Sequence, residues 1–241
     1  MDPLLLTLVP LFFLTALVYA SAGFGGGSTY LALLVLFNLP YYTIPQIALI
    51  CNIVVVTGGL YHYIKAKHLK LNRILPFVVT SIPLAYLGGT LPMSKKWFLL
   101  ILGISLAVAG ARLLFLSKPS SARKEISQKT AWGIGLPLGG LLGFVSGLVG
   151  IGGGIFLAPL LYFLKWGNPR QIAASASFFI FVNSLFGLWG QWTKSGLSIE
   201  GQWLIPLILA VFLGGQIGNR LSVGWLPLKG IQRVTASLIL I

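Results

Sequence analysis

Apolar runs long enough to cross a bilayer recur from one end of this chain to the other, separated by short polar segments. A hydrocarbon core about 30 Å thick takes about 20 such residues as α-helix. Only 8% of the 241 residues are charged, against about 25% in a soluble domain. Together these features predict a polytopic, all-α membrane protein of six to eight spans with no soluble domain.

The charge that remains is one-sided. Seventeen Lys and Arg face three acids, Asp2, Glu125 and Glu200, for a net charge of +14. In a soluble chain that balance would suggest nucleic acid as partner. Here the bases fall between apolar runs, where the positive-inside rule accounts for them, and no nucleic-acid partner is expected. Cys51 is the only cysteine, so no intrachain disulfide can form, and its apolar setting reads as a small buried hydrophobe. The N-terminal run carries Asp2 instead of a basic leader, and its counterpart recurs in mid-chain. It is therefore expected to belong to the mature chain.

The runs fall into two series. The first comprises Pro3 to about Phe37, broken at Gly23-Phe24-Gly25-Gly26-Gly27, then Ile44–Ile64, Ile74–Leu91 and Trp97–Leu116. A basic polar linker follows at 117–130. The second comprises Ala131 to about Lys165, broken over Gly147–Gly154, then Gln171–Trp192, Trp203–Gly218 and a short Lys229–Ile241. Three matches relate the series at a nearly constant offset of about 126 residues, the mark of an internal repeat. Gly23-Phe24-Gly25-Gly26-Gly27 pairs with Gly150-Ile151-Gly152-Gly153-Gly154, Pro45-Gln46-Ile47-Ala48 with Arg170-Gln171-Ile172-Ala173, and Leu87-Gly88-Gly89 with Leu213-Gly214-Gly215. The expected organisation is a first transmembrane repeat at 1–116, a cytoplasmic linker at 117–130 and a second repeat at 131–241.

A straight helix over the first broken run would be about 52 Å long, well beyond the core. Consecutive glycines disfavour helix by about 1 kcal/mol each. Each broken run is thus expected to be a hairpin of two partial helices or a sharply bent span. Charge favours the hairpin. If each run returns to the side it entered, every Lys and Arg lies on the linker side except Lys95, Lys96 and Lys194. If each crosses once, the bases divide almost evenly. The hairpin arrangement leaves three full crossings per half and relates the halves by inversion, a common transporter architecture.

Irregular backbone at membrane depth is tolerated only when buried in protein or lining a cavity. A helix that starts at such a break points free N–H groups and a partial positive charge inward, which suits an anion. Close helix packing is the other role open to these glycines. Candidate substrate-binding residues are therefore Gly25, Gly26, Gly27, Gly152, Gly153 and Gly154, with Ser28 and Thr29 directly after the first break. Neutral donors follow each break: Gln46 and Asn52 in the first half, Gln171, Ser175, Ser177 and Asn183 in the second. They could hold an oxyanion or make interhelical hydrogen bonds. No Asp or Glu lies deep in an apolar run, which argues against a cation carrier or proton relay. With two histidines and few acids, neither a metal site nor a cofactor is expected.

The paired Gly-[Phe/Ile]-Gly-Gly-Gly breaks, the Gln-Ile-Ala run after each and the Leu-Gly-Gly of each half resemble the TauE/SafE sulfite exporter family over essentially the whole chain. The resemblance implies a bacterial-type inner-membrane carrier of sulfite, sulfonates or related organosulfur anions. It points to Gly25, Gly26, Gly27, Gln46, Asn52, Gly152, Gly153, Gly154, Gln171 and Ser177. The expected function is export of such an anion by alternating access, with the lipid bilayer and the anion as partners. An anion channel and a non-transporting assembly subunit are the alternatives, and no enzymatic activity is expected. The coupling ion and the oligomeric state are left open.

Overall fold

The computed structural model describes residues 3–115, 128–164, 166–196, 199 and 201–224. Among them the chain is helical throughout: α1 (Pro3–Ser21), α2 (Gly27–Leu36), α3 (Ile44–Lys65), α4 (Leu71–Thr90), α5 (Lys95–Phe115), α6 (Gln128–Val149), α7 (Gly154–Phe163), α8 (Pro169–Ser195) and α9 (Gly201–Gly224). Helices α1, α3, α4, α6, α8 and α9 are long and apolar enough to cross a membrane, while α2 and α7 have only 10 residues each. The helix α6 begins at Gln128, inside the segment expected as linker. The rest of the linker and the short Lys229–Ile241 run lie outside the described residues.

Both broken runs are hairpins. Phe12 of α1 stacks on Tyr30 of α2 with ring centroids 4.7 Å apart, so α2 folds back along α1. In the second half α7 returns past α6. Trp166, just after α7, packs edge-on against Phe77 at 5.3 Å and accepts a 3.0 Å hydrogen bond from Arg73 at the start of α4. Phe77 in turn lies on Gly139, in the first half of α6.

The long helices cross the halves. Gly135, Gly139, Gly143 and Gly147 of α6 meet Pro76, Phe77, Ser81 and Ala85 of α4, so the two helices run side by side with residue numbers rising together. Gly214 and Gly218 of α9 meet Phe13 and Leu17 of α1 in the same sense. Asn219 of α9 donates to the Val55 carbonyl at 3.1 Å, which aligns α9 with α3. Helix α8 runs against α3: Gln46 near the start of α3 bonds Gly196 beyond the end of α8.

Gly147 therefore belongs to a packing seam and not to the break. Without a Cβ at this position α6 lies directly against the α4 backbone at Ala85, and the helix runs on to Val149. The helix directions also sort charge. Lys65, Lys67, Lys70, Arg73, Lys129, Arg170 and Arg220 gather at one end of the bundle, and Lys95, Lys96 and Lys194 at the other.

Candidate functional site

Each half-helix starts from a glycine in a conformation that other residues resist. The caps Gly26 and Gly153 have φ of 91° and 76°, left-handed values that cost an ordinary L-residue about 1–2 kcal/mol. Neither cap carries a side-chain hydrogen bond. The first backbone bonds of α2 and α7 run from Tyr30 to Gly26 and from Phe156 and Leu157 to Gly153. The amides of Gly27, Ser28 and Thr29, and of Gly154 and Ile155, precede those bonds and lie in the orphan first turn of a helix. Their dipoles favour negative charge at both starts.

The two starts touch. A Cβ on Gly27 would stand 2.6 Å from the Ile151 carbonyl oxygen of the other break. Asn52 fills the angle between them. Its carboxamide lies against Gly25 and Gly27 on one side, and its Nδ2 would be 2.7 Å from a Cβ on Gly152 on the other. Nδ2 donates to the Ile151 carbonyl at 3.2 Å. Asn52 is the ninth residue of α3, about 12 Å in from the helix start at 1.5 Å per residue and so near mid-membrane depth.

Polar atoms without partners cluster there. Asn52 Oδ1, Ser184 Oγ and Tyr30 OH are buried and have no hydrogen-bond partner among the described residues. Ser184 Oγ would be 3.1 Å from a Cβ on Gly152, and Tyr30 OH 3.0 Å from one on Gly26. A buried orphan costs about 1–3 kcal/mol, so Asn52 and Ser184 at Gly152, and Tyr30 at Gly26, mark where a ligand or solvent would complete the structure.

The other candidates take different places. Ser177 Oγ donates to the Gly23 carbonyl at 2.7 Å and so pins the first break to α8. Thr29 Oγ1 donates to Tyr19 OH at 2.9 Å, and Ser28 Oγ lies 3.3 Å from the same phenol. Those two hydroxyls thus brace the hairpin, while their amides remain at the helix start. Ser175 is buried in α8. Asn183 Nδ2 donates to the Phe179 carbonyl of its own helix, and its Oδ1 has no partner among the described residues. Gln46 and Gln171 are not brought to the breaks. Gln46 clips α3 to the end of α8 through Gly196 and Ser195. Gln171 forms a capping box with Asn168 at the start of α8, away from the breaks.

Ser184, Tyr30 and Tyr19 were not singled out by the sequence. Ser184 carries a usable signal, since it stands two helical turns beyond Ser177 and shares its face. Tyr30 and Tyr19 carry none, because a tyrosine in an apolar run reads equally as core or interface.

Fold and site together define a multi-pass helical membrane protein, with two broken helices meeting inside the bundle. Comparison makes the assignment specific. The sulfite exporter TauE/SafE family profile matches residues 8–241, and the chain belongs to that family. It is 32% identical to "Probable membrane transporter protein y4hK" of Sinorhizobium fredii, over 94% of this chain and 93% of that protein. It is 26% identical to "Probable membrane transporter protein MJ0441" of Methanocaldococcus jannaschii, over 90% and 89%. "Probable membrane transporter protein MamO" of Magnetospirillum gryphiswaldense is 26% identical over 90% of this chain but only 41% of its own length. No solved structure matches the chain.

Proposed function

We propose that this chain is a secondary transporter that exports small sulfur-containing anions, such as sulfite or sulfonates, by alternating access about the paired helix starts. The observation that carries this reading is the contact of two repeat-related half-helix N-termini around Asn52, with buried polar atoms left over. Amide dipoles attract an anion, and neutral side chains hold it without a counter-charge that would slow release.

Several features support the details. The end that gathers Lys65, Lys67, Lys70, Arg73, Lys129, Arg170 and Arg220 is taken as cytoplasmic by the positive-inside rule. With that end inside the cell, the helix directions support a reading in which the two halves have opposite orientations and the linker between them is cytoplasmic. Gly25 through Ser28 and Gly150 through Ile155 are buried, which favours a carrier that occludes its substrate over an open pore. The sulfur chemistry of the substrate rests on the family's name.

The test is efflux from proteoliposomes loaded with sulfite, sulfate, thiosulfate, taurine or sulfoacetate. A carrier gives saturable flux that is stimulated by the same anion on the far side. Flux that rises linearly without such stimulation identifies a channel, and no flux of any anion refutes transport.

A further inference from the structure

The buried groups around the two breaks are not interchangeable as hydrogen-bond partners. The amides of Gly27, Ser28, Thr29, Gly154 and Ile155 can only donate. The hydroxyls of Ser184 and Tyr30 can donate or accept. Asn52 Oδ1 can only accept, and it is 0% exposed with no partner among the described residues. Its orientation is fixed. Nδ2 of the same carboxamide donates to the Ile151 carbonyl, and turning the group over would set two acceptor oxygens face to face. Among the side chains placed at the breaks the site therefore presents donors and one obligate acceptor that lacks a partner, all out of reach of bulk water.

A fully deprotonated oxyanion satisfies the donors but leaves Asn52 Oδ1 against another negative oxygen. A singly protonated one can place its O–H on Oδ1 and its charged oxygens on the amides. We infer that the site selects anions that carry a donor hydrogen, taking a hydrogen oxyanion such as hydrogen sulfite over its dianion. The inference rests on the anion-transport reading above and names the ionic form that the site accepts.

The ligand, not the protein, supplies the titration. The titratable groups nearest the breaks are Tyr19 of α1, Tyr30 of α2, and Cys51 and Tyr63 of α3. Phenols and thiols ordinarily ionise above neutral pH. Described basic residues of the neighbouring elements lie at helix ends: Arg170 and Lys194 on α8, Arg220 on α9. No described residue of α7 or of the second break is charged. His62 is ten residues beyond Asn52 on α3, about 15 Å away along the axis.

The experiment compares sulfite and sulfate in proteoliposomes with equal pH on both sides and a clamped membrane potential. Sulfite exchanges its second proton near neutrality, whereas sulfate stays a dianion. Between about pH 6 and about pH 8, subsaturating sulfite flux should fall about tenfold, tracking the monoanion. Sulfate should move slowly at both. Asn52→Ala should flatten the sulfite profile and narrow the gap to sulfate, whereas His62→Gln should leave the profile in place. Should Asn52→Ala fail to fold, the wild-type profile still decides. Sulfite flux that is constant or rises with pH overturns the inference, as does sulfate flux equal to that of sulfite at low pH. A requirement for sodium would assign Asn52 Oδ1 to a cation and also overturn it. Absence of flux for every anion at every pH refutes the transport reading itself.

Discussion

At Gly26 and Gly153 the backbone turns into a helix with φ of 91° and 76°. Gly26→Ala adds the left-handed penalty and a contact 3.0 Å from the Tyr30 ring, so a loss of about 1–2 kcal/mol in stability is expected, together with a misplaced helix start. Thermal melts in detergent and liposome flux check the two effects separately. Ser184→Ala should behave in the opposite way. Its hydroxyl has no partner to lose among the described residues, so the melt should be unchanged or slightly raised, while the apparent affinity for anion weakens several-fold. A structural role for Ser184 would lower the melt instead. At this scale the glycines and Asn52 were legible as types and positions. That Asn52 rather than Gln46 reaches the breaks was not. Both are neutral amides on α3, but six residues along a helix place their side chains about 9 Å apart in depth.

Between elements, glycine does two jobs in one sequence. Gly135, Gly139, Gly143 and Gly147 recur every four residues on one face of α6 and receive the α4 backbone, a small-residue seam that lets the helices approach closely. Gly143→Leu should cost about 1–3 kcal/mol or more, because a Cβ there already lies 2.6 Å from the Ser81 Cα and 2.7 Å from its Cβ. Gly133→Leu is the matched control, since nothing lies within 4 Å of it. The measured contrast is the detergent melting temperature and the yield of folded protein. The spacing of the seam was visible in the chain, yet the sequence reading assigned Gly147 to the break. The distinction depends on α4 lying opposite, and no local pattern reports that.

For the whole molecule, the hairpins decide which ends share a side of the membrane. Single cysteines at the exposed positions Lys67, Lys96 and Arg170 test this, with Cys51 buried and out of reach. Lys67→Cys and Arg170→Cys should be labelled only from the cytoplasmic side and Lys96→Cys only from outside. If α6 and α7 formed one crossing, Lys67→Cys and Arg170→Cys would be labelled from opposite sides.

The sequence by itself determined that the chain is built from apolar helices of membrane-crossing length, and it marked the places where two of the apolar runs break. These follow from local physics: the thickness of the hydrocarbon core, the helix penalty of consecutive glycines and the unequal placement of basic residues. Only the tertiary structure decided which polar groups meet. Asn52 bonds Ile151 across 99 positions, and Ser177 bonds Gly23 across 154, because helices from opposite halves lie side by side. Residue spacing encodes the face of a helix, but the partner of that face is set by packing between helices far apart in the chain.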